Sequence, residues 1–270
     1  MESTPSSKLA VVTGASSGIG LELARIFARD GFDLVVAAED DGIHSAAQDL
    51  AALGAGVEAV QVDLARPEGV EELYGRISAL GRPLDAVVLN AGIGAGGAFA
   101  DGARETELQQ ELQIVDLNVR STVHLSKYVV RDMVARGHGR LLFTSSIAST
   151  MPGPFQAVYN ASKSFVQSFA LALRNELKDS GVTVTALMPG PTETNFFRRA
   201  KMMDTRIGTS EKDDPQEVAR LGYEALMAGK ERAVAASFST KLQGRGSRFL
   251  PDALKARMHR RLAEPRTARR

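Results

Sequence analysis

The chain has 270 residues, 44% of them hydrophobic and 24% charged, a composition typical of a globular protein with a sizeable core. It has no cysteine, which excludes disulfides, cysteine nucleophiles and thiolate metal ligands, and its four histidines lack ligand spacing, so we expect no metal site. The net charge is +1, but residues 241–270 carry ten Lys/Arg against two acidic residues, a charge of +8 that leaves about −7 for residues 1–240.

The ends of the chain and its hydropathy predict where the protein resides. Residues 1–8 are polar and short, unlike a secretory signal, and we expect them to be disordered. No stretch offers ~18 uninterrupted apolar residues, so we expect no membrane span. A cytoplasmic protein is the resulting expectation.

Short apolar runs alternate with amphipathic segments along the chain. The predicted strands are 9–13, 33–37, 57–62, 84–89, 140–145, 182–188 and 233–236, and the predicted helices are 21–28, 43–53, 67–79, 105–118, 122–135, 158–178 and 215–227. Near-continuous apolar strands alternating with helices indicate an α/β fold, a doubly wound parallel sheet of Rossmann type. No Pro/Gly/Ser-rich linker interrupts it, which predicts one domain over residues 9–240 followed by a basic extension, 241–270.

The first predicted strand ends in the glycine-rich turn Thr13-Gly14-Ala15-Ser16-Ser17-Gly18-Ile19-Gly20. In a doubly wound sheet, ligands bind at the carboxyl ends of the strands. Glycines let the backbone turn and approach a pyrophosphate, whose charge the following helix N-terminus favours. The alternative is a tight strand-to-helix turn without a ligand.

A tyrosine and a lysine stand four residues apart, at Tyr159 and Lys163, in the predicted helix 158–178. They project from one helix face, where a cation lowers the pKa of a nearby phenol and makes it a better base near neutral pH. Of the four tyrosines, only Tyr159 has a lysine at this spacing. The alternative is a chance pair on a solvated face.

Taken together, these motifs occur in the order and spacing of a known family. They are Thr13-Gly-x-x-x-Gly-x-Gly20, Asn90-Ala-Gly92, Ser146, Tyr159-x-x-x-Lys163 and Pro189-Gly190. Over roughly residues 8–236 the chain resembles the shorter, single-domain branch of the short-chain dehydrogenase/reductase family. The resemblance implies hydride transfer between a nicotinamide cofactor and a secondary alcohol or carbonyl compound.

The resemblance also implies a catalytic set of Asn118, Ser146, Tyr159 and Lys163. Tyr159 would exchange a proton with the substrate oxygen, which Ser146 would hold in place. Lys163 would lower the pKa of the tyrosine and bind the nicotinamide ribose, and Asn118 would hold a water that passes the proton onward. We prefer Ser146 to Ser145 because it lies thirteen residues before Tyr159, the interval usual in the family.

The implied cofactor contacts lie after successive strands. Asp63 would meet the adenine amino group, and the segment from Pro189 would present backbone and a hydroxyl to the carboxamide. Asn90 would either touch the cofactor or brace neighbouring strands. The full predicted set is Gly14, Ser16, Ser17, Gly18, Ile19, Gly20, Glu39, Asp63, Leu64, Asn90, Ala91, Gly92, Tyr159, Lys163, Pro189, Gly190, Thr192 and Thr194.

The residues after the second strand, Glu39-Asp40-Asp41, favour NAD over NADP. The end of this strand meets the adenosine ribose, which carries a 2′-hydroxyl in NAD and a dianionic phosphate in NADP. Glu39 would either accept hydrogen bonds from the ribose hydroxyls or merely repel the phosphate. Both alternatives favour NAD.

Substrate and assembly are predicted less specifically. Met188, Phe196, Phe197, Met202 and Met203 suggest an apolar pocket under a lid at about 193–214, or else ordinary loop packing. An apolar row on the helix 158–178 suggests a homodimer or homotetramer, or else packing on the sheet; it consists of Phe165, Phe169 and Leu173. The resemblance favours pairing through this helix and the one at 122–135.

Two other functions compete with an enzyme. One is a catalytically weak NAD-binding regulatory protein, because a fold does not guarantee a function. The other is a binder of acidic surfaces or nucleic acid through the basic extension. The intact Tyr159, Lys163 and Ser146 set argues against the first. The extension has a single aromatic residue, Phe249, which argues against nucleic acid as a partner.

Overall fold

The computed structural model describes residues 7–100, 105–235 and 250–268. They form a seven-stranded sheet in the order β3-β2-β1-β4-β5-β6-β7, with every neighbouring pair parallel. The strands are β1 Lys8–Thr13, β2 Phe32–Ala38, β3 Val57–Gln61, β4 Ala86–Leu89, β5 Gly139–Thr144, β6 Val182–Pro189 and β7 Arg232–Ala235. The order reverses between β1 and β4, where such a sheet opens a binding crevice.

Helices connect the strands and cover both faces of the sheet. They are α1 Gly18–Arg29, α2 Gly42–Ala51, α3 Pro67–Ala79, α4 Leu108–Val115, α5 Ser121–Arg136, α6 Ala157–Glu176, α7 Phe196–Arg199, α8 Arg206–Thr209, α9 Pro215–Met227 and α10 Asp252–Ala263. A π-helical turn, Asp116–Arg120, joins α4 to α5, and a 3₁₀ turn, Ile147–Thr150, follows β5.

Alternate strand residues face two separate apolar layers. Val11 and Val35 belong to the layer shared with α3, α5 and α6, whereas Val12 and Val36 belong to the layer shared with α1, α2 and α9. In the second layer the Phe27 ring makes edge contacts with two other aromatic rings. Burial of the strands on both faces confirms the predicted doubly wound, single-domain α/β fold.

The prediction of two separate helices at 105–118 and 122–135 is wrong. Helical backbone runs without a break from Leu108–Val115 through the π turn into Ser121–Arg136. No glycine or proline interrupts residues 108–136, so nothing stops the helix there. The Thr122 hydroxyl donates at 2.8 Å to the carbonyl oxygen of Asn118, a residue of the π-helical turn.

The structure describes parts of both predicted terminal segments. Lys8 belongs to β1 rather than to a disordered start, and residues 1–6 lie outside the described residues. Residues 241–249 also lie outside them, but the next part of the predicted basic extension is α10, which buries His259 and Ala263 against the body. None of the helices in the described ranges is long and apolar enough to cross a membrane.

Candidate active site

The glycine turn after β1 leads directly into helix α1. Gly14 has a φ of +66°, and a Cβ on Gly20 would lie 2.2 Å from the Gly14 carbonyl oxygen, so neither position accepts a side chain. Ser17 precedes the helix in extended backbone, and its side chain accepts no hydrogen bond from α1, a helix described in full. The first amides of α1 are therefore available to an anion, which fits a dinucleotide pyrophosphate.

A cavity of about 680 Å³ extends along the carboxyl ends of the strands. Every predicted site residue lines it except Gly20 and Asn118. The lining members of that set are Gly14, Ser16, Ser17, Gly18, Ile19, Glu39, Asp63, Leu64, Asn90, Ala91, Gly92, Ser146, Tyr159, Lys163, Pro189, Gly190, Thr192 and Thr194. The cavity thus brings together residues from the ends of six strands and from helix α6.

Two adjacent serines at the end of β5 have different surroundings. The buried Ser145 hydroxyl donates to the Lys163 carbonyl oxygen at 3.0 Å and so ties the strand to helix α6. Both serines line the cavity, but the hydroxyl that makes a side-chain hydrogen bond with Tyr159 is that of Ser146. Ser146 is therefore the serine placed to meet a substrate beside the phenol.

Burial sets the protonation of Tyr159 and Lys163. It raises the pKa of Tyr159 to about 12, an effect that the Ser146 hydrogen bond opposes, and it lowers the pKa of Lys163 to about 8. The Lys163 Nζ donates to the Thr144 carbonyl oxygen at 2.9 Å and lies 6.0 Å from the Tyr159 ring centroid.

Desolvation disfavours the charged form of each group, and burial therefore sets the direction of both pKa shifts. That Lys163 lowers the pKa of Tyr159 stays a prediction. At neutral pH Tyr159 is a phenol and most of Lys163 is protonated. This state is suited to giving a proton to a carbonyl oxygen.

Asn118 lies in the π-helical turn and holds the backbone after β4. Its Oδ1 accepts from the Ile93 amide at 3.0 Å, and its Nδ2 donates to the Ile93 carbonyl oxygen and to the Ser162 Oγ, both at 2.9 Å. The side chain therefore fixes this loop against α6. Its predicted role in holding a water stays a prediction.

The Asn90 side chain braces three strands. Its Nδ2 donates to the Thr13 and Gly14 carbonyl oxygens at 3.1 and 3.3 Å, and its Oδ1 accepts from the Thr144 hydroxyl at 3.1 Å. These partners occupy both ends of the amide. Of the two alternatives left by the sequence, the geometry favours the brace.

At the other end of the cavity lie the acidic residues after β2 and β3. Asp63 Oδ1 accepts from the Ala65 amide at 2.9 Å, which fixes this carboxylate at the cavity wall. Asp40 accepts from the Ser16 hydroxyl at 2.9 Å and lies 3.6 Å from the Arg199 guanidinium. Arg199 also lines the cavity, and it belongs to no motif that would single it out.

The predicted apolar lid contributes aromatic rings but not methionines. Phe196 and Phe197 line the cavity, and the Phe196 ring centroid lies 5.1 Å from that of Tyr159. Met188 and Met202 are buried away from it and Met203 is exposed. Further lining residues, Met258, His259 and Leu262, come from α10 and were missed, although the apolar spacing of residues 254, 258 and 262 signals a helix.

Comparison with known proteins agrees with this geometry. The short chain dehydrogenase family matches residues 8–204. A relative, 1-deoxy-11-beta-hydroxypentalenate dehydrogenase of Streptomyces exfoliatus, is 35% identical over 226 residues, which cover 81% of this chain and 79% of the relative.

Two solved structures have the same architecture. The short-chain dehydrogenase from Sphingobium yanoikuyae in complex with NADPH has a TM-score of 0.77 and 28% identity, covering 84% of this chain and 87% of its own. The 3-ketoacyl-(acyl-carrier-protein) reductase from Brucella melitensis complexed with NADH has a TM-score of 0.72 and 27% identity. The match covers 86% of this chain and 96% of the reductase chain. The comparisons give no support to a regulatory protein without turnover. The chain belongs to the short-chain dehydrogenase/reductase family and is a nicotinamide-dependent oxidoreductase.

Proposed function

We propose that the protein interconverts a secondary alcohol and the corresponding carbonyl compound, with Tyr159 as the acid and base. The observation that carries this proposal is the phenol at the cavity wall, hydrogen-bonded by Ser146 and backed by the buried Lys163. The bound nicotinamide supplies or takes up the hydride. The protein supplies orientation and the proton.

Each of four side chains has a distinct task in carbonyl reduction. Tyr159 donates its proton to the substrate oxygen, and Ser146 donates a second hydrogen bond to the same oxygen. Lys163 carries a positive charge at neutral pH that stabilises the phenolate left behind. Asn118 keeps the neighbouring backbone at Ile93 in place.

The residues present fit a dinucleotide along the cavity. The turn from Gly14 to Gly20 would hold the pyrophosphate, Asp63 and Leu64 would flank the adenine, and Pro189 with Gly190 would flank the nicotinamide. Asp40 is already paired with Ser16 and Arg199. Glu39, which is exposed at the cavity edge, is therefore the carboxylate that we expect to choose between cofactors.

We expect the wild type to favour NAD over NADP at least about tenfold in kcat/KM, or ~1.4 kcal/mol, because Glu39 repels the 2′-phosphate. Glu39→Arg should narrow or reverse that ratio. Asp41→Arg is the matched control, since it makes the same charge change one step outside the cavity lining. The ratio of the dissociation constants for NADH and NADPH, measured by cofactor fluorescence, should change in parallel with the kcat/KM ratio. A wild type that prefers NADP would refute the role assigned to Glu39.

The apolar side chains at the Tyr159 end of the cavity favour a substrate with an apolar body. Phe196, Phe197 and Ile207 line the cavity, and the Phe196 ring contacts the ring of Tyr159. A panel of ketones and secondary alcohols of graded size, assayed with both cofactors by the absorbance of the reduced nicotinamide, tests the proposed reaction. Turnover should favour the apolar members, and its complete absence with both cofactors would count against the proposal.

We further propose a homodimer built on α5 and α6. Of the predicted row, Phe169 and Leu173 pack against the sheet core, whereas Phe165 is 40% exposed and stacks on Phe169. Apolar side chains on α4 and α5 are also exposed, Leu112 and Val134 among them. Such an apolar surface is what an isologous interface buries.

Light scattering at micromolar concentration should therefore give the mass of a dimer or of a tetramer. Phe165→Asp should shift the measured mass towards that of the monomer, because the substitution places a charge in the interface. Leu53→Asp, at a side chain equally exposed just after α2, is the control and should leave the mass unchanged. A monomeric wild type would refute the proposed assembly.

A further inference from the structure

Helix α10 contacts the segment that follows β5 through a hydrogen bond and a cation–π contact. The His259 Nδ1 lies 3.2 Å from the Pro154 carbonyl oxygen, and because a carbonyl only accepts, Nδ1 is the protonated nitrogen. The Arg260 guanidinium lies 5.1 Å from the Phe155 ring centroid, within cation–π distance. The helix thus rests directly on residues 154–155.

Phe155 has an unusual backbone beneath this contact. Its φ of +64° lies in the left-handed region, which is costly for a bulky side chain and persists only where surrounding structure enforces it. Its carbonyl oxygen accepts from the Gly97 amide at 2.9 Å, and its ring meets Arg260. The segment is therefore held in a defined shape between the loop after β4 and α10.

The same helix also packs on the lid. Ala263 is buried in one apolar cluster with Phe197, Ala200 and Met202. Beyond the helix, the Arg266 amide donates to the Asp204 Oδ2 at 3.0 Å and the Ala268 amide donates to the Asp204 carbonyl oxygen at 2.8 Å. Residues 250–268 and the lid therefore form a single packed unit.

This unit closes the apolar end of the cavity. Met258, His259 and Leu262 line it together with Phe196, whose ring contacts Tyr159. Burial lowers the pKa of His259 below its ordinary value, so the ring is neutral at neutral pH and adds no charge to the wall. Apolar side chains thus extend from the proton donor to α10.

We infer that α10 is the outer wall of the substrate site, with Met258 and Leu262 setting the size of the apolar group that the site accepts. The inference deepens the proposed function and rests on it. It assigns the substrate class as ketones and secondary alcohols with a bulky apolar group on the reacting carbon. The family match ends at residue 204, so this wall belongs to a part of the chain outside the matched region.

Leu262 offers a sharp test because its side chain is 43% exposed, so truncating it leaves the fold intact. Leu262→Ala enlarges the site and Leu262→Trp fills it. We expect the ratio of kcat/KM for the bulkiest to the smallest reactive ketone to rise about tenfold in the first and to fall by a similar factor in the second, a range typical of apolar pockets. NADH affinity, read by fluorescence, should stay within about twofold.

Leu254→Ala is the matched control, because Leu254 is on the same helix and 41% exposed but does not line the cavity. Its size preference should equal that of the wild type. If Leu262→Ala and Leu262→Trp change the ratio no more than Leu254→Ala does, α10 is not a wall of the substrate site.

Calorimetric binding of the same ketones to the NADH complex distinguishes this failure from failure of the proposed reaction. A shift in binding selectivity at Leu262 with no turnover in the wild type would support the wall and reject the reaction. Turnover in the wild type with unchanged selectivity in both Leu262 variants would support the reaction and reject the wall.

Discussion

Tyr159→Phe should lower turnover by ~10²–10⁴, the usual contribution of a general acid–base group. The substitution removes the hydroxyl that donates the proton and leaves the ring against Phe196. Because the cofactor pyrophosphate and adenine would bind elsewhere in the cavity, NADH affinity should change by no more than a few fold. Steady-state kinetics and a fluorescence titration measure the two quantities.

Tyr128→Phe is the control for this experiment. The Tyr128 hydroxyl also makes a side-chain hydrogen bond, to Glu71, but it lies outside the cavity. Its turnover should match that of the wild type. A Tyr159→Phe enzyme that kept substantial activity on the best substrate would show that the proton comes from another group.

Lys163→Met should stabilise the fold at neutral pH and abolish most of the activity. Burial lowers the pKa of Lys163 from 10.5 to about 8, so the charged form is disfavoured in the folded protein. One pKa unit corresponds to ~1.4 kcal/mol, which gives a gain of about 1–3 kcal/mol after loss of the hydrogen bond to Thr144. Turnover should nevertheless fall, because the Tyr159 phenolate that forms during the reaction loses the stabilising positive charge of Lys163.

The pH dependence of this gain checks its cause. Between pH 8 and 10.5 the unfolded wild type binds more protons at this residue than the folded one, so wild-type stability contributed by Lys163 rises with pH. Above that range both states are neutral and the advantage of the methionine variant disappears. Urea unfolding at several pH values measures the difference, and a pH-independent gain would contradict burial of the charge as the cause.

The sheet was predictable because its signal is local. Each strand is a short apolar run bounded by turn residues, and the glycine turn after β1 requires conformations that only glycine adopts readily, as the φ of Gly14 shows. The spacing of Tyr159 and Lys163 is likewise set by one helical turn, so their shared face follows from the sequence.

The features that the sequence did not reveal depend on packing between distant segments. The pKa of Tyr159 is set by burial, which depends on the folded structure and not on the spacing of residues in the sequence. The π turn between α4 and α5 contains Asn118, whose hydrogen bonds to Ile93 and Ser162 join segments far apart in the sequence. Helix α10 is amphipathic enough to predict, but its position follows only from its contacts with Pro154 and the lid.

The same distinction applies to residues that line the cavity without a motif. Arg199 reaches Asp40 across some 160 positions of sequence, and Leu262 reaches the cavity from well beyond the family match. Neither residue type is diagnostic on its own. Their roles depend on the three-dimensional path of the lid.

Transfer of deuterium tests the central claim most directly. A secondary alcohol from the panel, deuterated on its carbinol carbon, is incubated with the wild type and oxidised cofactor, and the reduced nicotinamide is analysed by mass spectrometry. We expect one deuterium in the reduced cofactor for each ketone formed, and almost none over the same time with Tyr159→Phe. Wild-type protein that binds the cofactor but transfers deuterium from no alcohol of the panel would contradict the account.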